Sequence, residues 1–129
     1  MDMIKVVCGI IYKDEKILLT RRKKGKSLEG YWEFPGGKVE EGETDKIALE
    51  RELNEELGLS VSELTYFSEN KHDYDTFSIH LIAFKCNAHD NPKKLIDHDK
   101  FEWVSINEIR NFNLADADRP ILKELQIQR

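Results

Sequence analysis

The chain has 129 residues, of which 20 are basic and 25 acidic, so it carries a formal net charge of −5. This length fits a single domain over residues 1–129, large enough to bury roughly two-thirds of its unfolded surface. Proteins that hold long nucleic acid usually show a basic stripe, and the acidic balance excludes that class. A small anionic substrate is compatible with this charge when a cation intervenes.

The cysteines and the N-terminus point to a cytosolic protein. Cys8 and Cys86 both lie in apolar runs, and without a Cys/His cluster we expect two buried free thiols in a reducing compartment. The first residues lack the basic and apolar regions of a signal peptide, and no apolar run reaches the roughly 20 residues of a membrane span. We therefore expect a cytoplasmic monomer or homodimer with no membrane partner.

The N-terminal third predicts β-structure. Residues 3–12 are apolar and β-branched, and the polar residues 13–16 separate them from the apolar run 17–20, which is typical of a hairpin. A polar loop over residues 23–30 leads to a short aromatic strand at 31–34, which ends at a Pro-Gly-Gly sequence.

A helix is predicted after Gly42. Thr44 is a suitable N-cap, Asp45 fits the positive end of the helix dipole, and Gly58 is a C-terminal stop. An apolar stripe for packing recurs at every fourth position, at Leu49, Leu53 and Leu57.

The second half mixes strands with short helices. Strands are predicted at residues 61–68, 76–86 and 101–104, with polar connections at 70–75 and 89–94. Because strands and helices do not alternate regularly, the pattern indicates an α+β fold.

Two helix starts are predicted near the C-terminus. Ser105 and Glu108 form a capping box that opens a short helix. Asp118, with Pro120 in the first turn, is the expected N-cap of a last helix that runs to about Gln126.

Three glutamates of the first helix fall within roughly a 100° arc, Glu52, Glu55 and Glu56. Most acidic helix faces are simply solvated, but here Lys46 and Arg51 lie off the centre of the arc and do not obviously neutralise it. A Gly-Gly loop, where backbone can approach a ligand closely, precedes the helix. Because magnesium takes few carboxylates together with substrate phosphates, the stripe favours a Mg²⁺ or Mn²⁺ site that binds a phosphorylated substrate.

From Gly37 onward the chain resembles the Nudix box, G-x5-E-x7-R-E-U-x-E-E-x-G-U, in which U is aliphatic. All nine specified positions are filled, by Gly37, Glu43, Arg51, Glu52, Leu53, Glu55, Glu56, Gly58 and Leu59. Residues 9–11, 20–22, 32–38, 102–103 and 117–120 extend the resemblance to the MutT-type branch over nearly the whole chain. That branch includes oxidised-purine triphosphatases and CTP pyrophosphohydrolases.

The resemblance implies an α/β/α sandwich around a mixed sheet and the hydrolysis of a nucleoside triphosphate to a monophosphate and pyrophosphate. It implies metal ligands at the box glutamates and a backbone carbonyl, namely Glu52, Glu55, Glu56 and Gly36. Glu43 would support the loop and helix through Arg51.

Two residues are candidates for the general base. Glu52 is the first, because it lies at the edge of the metal cluster and matches the residue usually assigned this role. Asp97 is the second, since relatives often carry a glutamate at this position in a mobile loop. An aspartate is one methylene shorter, and residues 97–99 read equally well as a solvated loop.

The resemblance also suggests substrate contacts. Arg22 matches an arginine that contacts phosphate or base. Phe34 either stacks on the base or fills the core, and core is the default expectation for an aromatic in a strand. By alternation Glu33 faces the other way and receives no role.

The base specificity depends on Asp118 and Phe77. Asp118 matches a residue that hydrogen-bonds the nucleobase, and an ionised carboxylate only accepts, so it favours bases with amino or N–H donors. Phe77 replaces an arginine that touches substrate in some relatives. These features leave 8-oxo-dGTP as the first expected substrate and CTP or 5-modified dCTP as the alternative.

Three other functions fit the sequence less well. Hydrolysis of ADP-ribose or another nucleoside diphosphate derivative is disfavoured by the short chain without insertions. A nucleotide sensor without catalysis is disfavoured because every box glutamate is present. A calcium site at residues 97–99 is excluded because the EF-hand spacing is absent.

Overall fold

The computed structural model describes residues 3–127, so Met1 and Asp2 of the N-terminal segment and the last two residues of the predicted domain lie outside it. In this part of the chain seven strands form one sheet, accompanied by two α-helices and two 3-10 helices. In chain order the strands and α-helices are β1 Met3–Lys13, β2 Lys16–Arg22, β3 Trp32–Glu33, β4 Gly36–Lys38, α1 Asp45–Leu57, β5 Ser62–Asp73, β6 Ser78–Asn87, β7 His98–Val104 and α2 Arg119–Ile127.

Strand β1 is the centre of the sheet. On one edge it pairs in parallel with β6, from Met3 against Ser78 to Tyr12 against Asn87, and β5 continues the sheet in antiparallel fashion beyond β6. On the other edge β1 pairs antiparallel with β2 at their hairpin and with β4 at residues 6–8. The sheet is therefore mixed, as predicted.

Strands β1 and β2 take different partners once they leave their hairpin. β2 pairs with β3 at Thr20 and Arg21 and, on its other edge, with β7, while β1 pairs with β4. The segment of residues 32–38 therefore lies between the two long strands. It brings a phenylalanine and two glycines to the opening between them.

Each face of the sheet has its own hydrophobic core, because side chains alternate across β1. Val7 and Ile11 pack with the buried side of α1, whereas Cys8 and Ile10 pack on the other face with residues of α2. Helices on both faces of one sheet make the predicted α/β/α sandwich. The expectation of two buried free thiols, Cys8 and Cys86, is also confirmed.

Helix α1 has the predicted ends and the predicted packing stripe. The Thr44 hydroxyl accepts a hydrogen bond from Ile47 N at 3.2 Å, and Gly58 closes the helix with a left-handed φ of 58°. Leu49, Leu53 and Leu57 are all buried. Within residues 3–127 no helix is long and apolar enough to cross a membrane.

Two segments that the sequence suggested as turns are strands. Residues 70–73 belong to β5 and pair in register with residues 78–81 of β6, and Gly36–Lys38 forms β4 against β1. Polar or glycine-rich composition favours a turn, but ladder hydrogen bonds to a neighbouring apolar strand override that local preference. The turn between β5 and β6 is confined to residues 74–77.

Both predicted caps near the C-terminus are wrong in detail. Ser105 makes no side-chain cap hydrogen bond; its hydroxyl instead donates to the Glu108 carboxylate at 2.7 Å, and the following helix is of the 3-10 type. Asp118 ends a 3-10 helix over Asp116–Asp118 that runs directly into α2. A cap needs extended backbone, and Asp118 already lies in helical backbone.

Candidate active site

An open cleft of about 610 Å³ lies between α1, β4, the loop of residues 23–30 and the start of β7. We call it the acidic cleft, because its lining includes the carboxylates of Glu40, Glu52, Glu55, Glu56 and Asp97. Its basic lining residues are Arg22, Lys26, Lys38 and Arg51. The three glutamates of the helical stripe therefore face a concave surface instead of open solvent.

The two glycines of β4 allow this cleft to form. A side chain at Gly37 would overlap the carboxylate of Glu52, and one at Gly36 would overlap the backbone of β1. Backbone at Gly37 thus lies directly against the Glu52 carboxylate, backbone at Gly36 lies against β1, and both residues line the cleft. The proposed carbonyl donor of Gly36 is on the same wall as the glutamates.

Arg51 organises the carboxylates from the side of α1. Its Nε lies 2.6 Å from Glu43 Oε2, its Nη1 lies 3.1 Å from Glu55 Oε2, and its Nη2 donates to the carbonyl of Lys38 at 3.0 Å. The Arg51 hydrogen bonds lower the pKa of Glu43 to about 2. The contact expected between Glu43 and Arg51 is present.

The expectation that Arg51 does not neutralise the glutamate stripe was wrong. Arg51 Nη1 lies 3.4 Å from Glu52 Oε2 as well as close to Glu55, so it partly neutralises the stripe. Its side chain is long enough to reach across the arc, which a wheel of Cα positions does not represent.

Asp97 joins the glutamates at the far side of the acidic cleft. Burial, together with a hydrogen bond shared with Asp97, raises the pKa of Glu56, and burial raises that of Glu52. Burial alone would also raise the pKa of Asp97, but hydrogen bonds with Lys26 and Glu56 hold it below its ordinary value. Asp97 thus belongs to the cluster of carboxylates that lines the acidic cleft, and its side chain is not simply solvated.

A second, smaller cavity of about 180 Å³ opens beside the acidic cleft, and we call it the inner cavity. Its lining includes Cys8, Glu33, Phe34, Tyr74, Phe77 and Asp118. Phe77 stacks on Tyr74 with ring centroids 5.0 Å apart. Phe34 is buried in the core, as expected by default, and still forms part of the cavity wall.

Asp118 is anchored at this cavity by β3–β4 and not by its own helix. Its Oδ2 accepts a hydrogen bond from Phe34 N at 2.8 Å, and the residue is only 6% exposed. Burial, and then the nearby Glu33 carboxylate, raises the pKa of Asp118 well above its ordinary value, although the Phe34 N–H opposes this. A protonated Asp118 donates as well as accepts, which the sequence argument did not include.

Glu33 lines the inner cavity although the sequence assigned it no role. Its Oε2 lies 2.7 Å from Nε2 of the buried His98 and 3.6 Å from Nη1 of Arg22. Strand β3 is only two residues long, so alternation does not continue through Phe34. The available signal was position, since Glu33 lies inside the segment 32–38 that carries the family resemblance.

The two cavities share one wall. Arg22, Ser27, Gly36, Gly37 and Lys38 line both of them. A single molecule with an aromatic end and an anionic end can therefore occupy both. The predicted site residues are all brought to this pair of cavities, except Glu43, which acts on it through Arg51.

Comparison with known families agrees with this geometry. The family model described as NUDIX domain matches residues 6–124, nearly the whole chain. The chain belongs to the NUDIX domain family. Nudix hydrolases as a group require a divalent metal ion, so the predictions of an enzyme and of a metal cofactor hold at that level.

Individual relatives place this Nudix hydrolase in the MutT-type branch. A CTP pyrophosphohydrolase of Escherichia coli is 37% identical, over 100% of this chain and 96% of that protein. An 8-oxo-dGTP diphosphatase of Buchnera aphidicola is 31% identical, over 98% and 95%. A solved MutT structure from work on Aliivibrio salmonicida and Vibrio cholerae is 33% identical with a TM-score of 0.78, over 99% of this chain and 100% of that one. The predicted fold and branch are confirmed.

The residues of the acidic cleft fit a divalent cation by their chemistry. Carboxylate and carbonyl oxygens are the donors that hard cations prefer, and Glu56 Oε1 is buried without a hydrogen-bond partner among residues 3–127. In the same part of the chain no three His, Cys, Asp or Glu side chains converge as a ready metal cluster. Arg51 and Lys26 hold several of these carboxylates instead, so cation binding requires the ion pairs to rearrange.

Proposed function

We propose that this Nudix hydrolase cleaves nucleoside triphosphates to monophosphates and pyrophosphate, with 8-oxo-dGTP as its first substrate. The observation that carries the proposal is the shared wall between the inner cavity and the acidic cleft. The inner cavity offers aromatic rings and two carboxyl groups to a base. The acidic cleft offers carboxylates and four basic side chains to a phosphate chain and its cation.

The two carboxyl groups of the inner cavity favour a guanine-type edge. Guanine and 8-oxoguanine present an N1–H donor beside an amino donor, and Glu33 and Asp118 offer acceptors to both. Phe77 provides an aromatic surface in place of a cation. These features support 8-oxo-dGTP.

One observation favours the alternative of CTP or 5-modified dCTP. Cytosine presents an amino donor beside the N3 acceptor, and the raised pKa of Asp118 favours a protonated carboxyl that donates to such an acceptor. The alternative thus depends on the protonation of one side chain.

The proposed roles in the acidic cleft follow the chemistry of pyrophosphate release. Glu52, Glu55, Glu56 and the Gly36 carbonyl would hold Mg²⁺ or Mn²⁺, which would lower the pKa of water and neutralise charge on the leaving group. Glu52 accepts the proton of the attacking water, because burial raises its pKa toward the range of a useful base. Asp97 is the second candidate for that proton, and Arg51 with Glu43 orients the helical glutamates.

A pyrophosphate-release assay over a panel of triphosphates with Mg²⁺ tests the proposal. We expect pyrophosphate from 8-oxo-dGTP at the highest kcat/KM, followed by CTP and 5-modified dCTP. Binding of nucleotides without release of pyrophosphate would identify a sensor. Turnover of ADP-ribose but of no triphosphate would move the chain to the nucleoside diphosphate branch.

A further inference from the structure

The basic side chains around the two cavities are ordered from the base end to the phosphate end. Arg22 and Lys38 line both cavities, so they lie at the junction. Lys26 and Arg51 line the acidic cleft alone. A molecule whose base occupies the inner cavity therefore meets Arg22 and Lys38 first and reaches Lys26 only with the distal part of its phosphate chain.

Arg51 and Lys26 differ in how firmly they are held. Arg51 hydrogen-bonds Glu43, Glu55 and the Lys38 carbonyl, so its guanidinium donors are already occupied within the protein. Lys26 Nζ has one carboxylate partner among the described residues, Asp97 Oδ1 at 3.0 Å, and its side chain is 44% exposed. Exposed ion pairs of this kind are weak and exchange readily.

The backbone around Lys26 is fixed although its side chain is free to exchange. Lys23 N donates to the carbonyl of Asp97 at 3.1 Å, and Lys26 N donates to the carbonyl of Lys23 at 3.2 Å. Beyond it, Arg22 Nε donates to the carbonyl of Ser27 at 3.1 Å. These hydrogen bonds hold the loop at the edge of the acidic cleft on both sides of Lys26, so rotation of the side chain alone is enough to move its ammonium away from Asp97.

We propose that Lys26 binds the distal phosphates of the substrate, exchanging Asp97 for a β- or γ-phosphate oxygen when a triphosphate enters. This inference rests on the proposed function and deepens it. A triphosphate chain carries several negative charges and the Asp97 carboxylate carries one, so the exchange favours substrate. Lys26 thereby measures the length of the phosphate chain, and the inner cavity reads the base.

A calorimetric binding series tests this role in the presence of chelator, so that no divalent metal contributes. The ligands are a nucleoside monophosphate, the diphosphate and the α,β-methylene triphosphate, each with the wild-type protein, Lys26→Gln and Lys24→Gln. Lys24 is an exposed lysine in the same loop that lines neither cavity, so Lys24→Gln makes the same charge change away from the site.

We expect Lys26→Gln to lower the affinity for the triphosphate analogue about tenfold, the scale of one charge-assisted hydrogen bond. The affinity for the monophosphate should fall by less than about twofold. Lys24→Gln should leave both affinities within about twofold, as expected for a distant surface charge. Equal losses for all three ligands with Lys26→Gln, or the same triphosphate loss with Lys24→Gln, would overturn the inference.

Asp97→Asn gives a second measurement with the opposite sign. It releases Lys26 from its ion pair, so the affinity for the triphosphate analogue should rise, and the rise should disappear in the Lys26→Gln background. A rise that persists without Lys26 would contradict the exchange.

Failure of the proposed function is distinguishable from failure of this inference. If the wild-type protein releases no pyrophosphate but the selective loss at Lys26 is observed, the proposed function fails and the phosphate contact stands. If pyrophosphate is released and Lys26→Gln changes the affinities for the mono-, di- and triphosphate equally, only the inference fails.

Discussion

The acidic cleft and the inner cavity are assembled from different distances along the chain. The acidic cleft takes three of its five carboxylates from about one turn of a single helix, α1. The inner cavity combines residues from β1, β3, the turn before β6 and the C-terminal 3-10 helix. The difference teaches that the carboxylates proposed to bind a cation and phosphates are encoded mainly within one helix. The cavity proposed to recognise the base depends on the tertiary fold.

Removal of the metal should give the largest difference between the behaviour of the acidic cleft and that of the inner cavity. Because the proposed metal would lower the pKa of the attacking water and neutralise charge on the leaving pyrophosphate, we expect chelator to abolish pyrophosphate release. The inner cavity lacks this dependence, so the affinity for a nucleoside, measured by calorimetry, should change little. Full turnover in excess chelator would contradict the metal mechanism.

Substitution of the proposed base is the next largest effect. Glu52→Gln keeps the shape of the side chain and removes a charge and a proton acceptor, so kcat should fall by at least about a hundredfold. The ranking of bases by kcat/KM should be unchanged, because Glu52 does not line the inner cavity. Asp97→Asn should lower kcat less, and the reverse order would assign the base to Asp97.

Asp118→Asn should act on the inner cavity alone. Asn retains an acceptor for Phe34 N–H and replaces the other carboxyl oxygen with an amide group that only donates, so the ratio of kcat/KM between 8-oxo-dGTP and CTP should change by about tenfold or more. Turnover of the better substrate should change less than this ratio. The melting temperature must be followed in parallel; an altered melting temperature with an unaltered ranking would reduce Asp118 to a structural residue.

The pH dependence of the base ranking should show a smaller change of the same kind. The pKa of Asp118 lies well above its ordinary value of 3.8. The carboxyl is therefore protonated and able to donate below the raised pKa, and it loses this donor as pH rises through it. The ratio of 8-oxo-dGTP to CTP turnover should therefore increase with pH. In Asp118→Asn the ratio should be flat, and a slope of equal size in the variant would assign the titration elsewhere.

The smallest effect concerns stability at the edge of the acidic cleft. The pKa of Glu43 is lowered from 4.5 to about 2, so its contribution to stability is present above pH 4.5 and is lost as pH falls toward 2. The difference in melting temperature between wild type and Glu43→Gln should be constant above pH 5. It should shrink toward zero as pH falls from 4.5 toward 2. Glu41→Gln, an exposed neighbour, is the control and should show no such closure.

The local origin of the acidic cleft explains why sequence predicted it well. The arc of Glu52, Glu55 and Glu56 follows from helical periodicity, and the caps at Thr44 and Gly58 bound the helix that carries it. Periodicity does not predict how far a side chain reaches. The contacts of Arg51 with Glu52 and Glu55 were therefore not expected. Periodicity describes where Cα atoms lie and not where a long side chain ends.

The residues of the inner cavity could be predicted only through the family resemblance. No local pattern connects Phe77 and Asp118 with residues 33 and 34, since the contact between Asp118 and Phe34 spans 84 residues. Glu33 was missed because alternation was applied to a strand of two residues, and its partner His98 was assigned to a loop that is in fact the start of β7. Tertiary pairing decided both positions.

The parallel pairing of β1 with β6 has a consequence for biosynthesis. The first strand of the chain must wait for residues 78–87 before its central ladder can form, and contacts this distant in sequence close slowly. While the chain is still emerging from the ribosome, β1 can already pair with β2 and β4 and place the glycines of β4 beside α1. We therefore expect α1 to reach its place before the inner cavity forms, because the cavity needs Asp118, which lies 84 residues beyond Phe34.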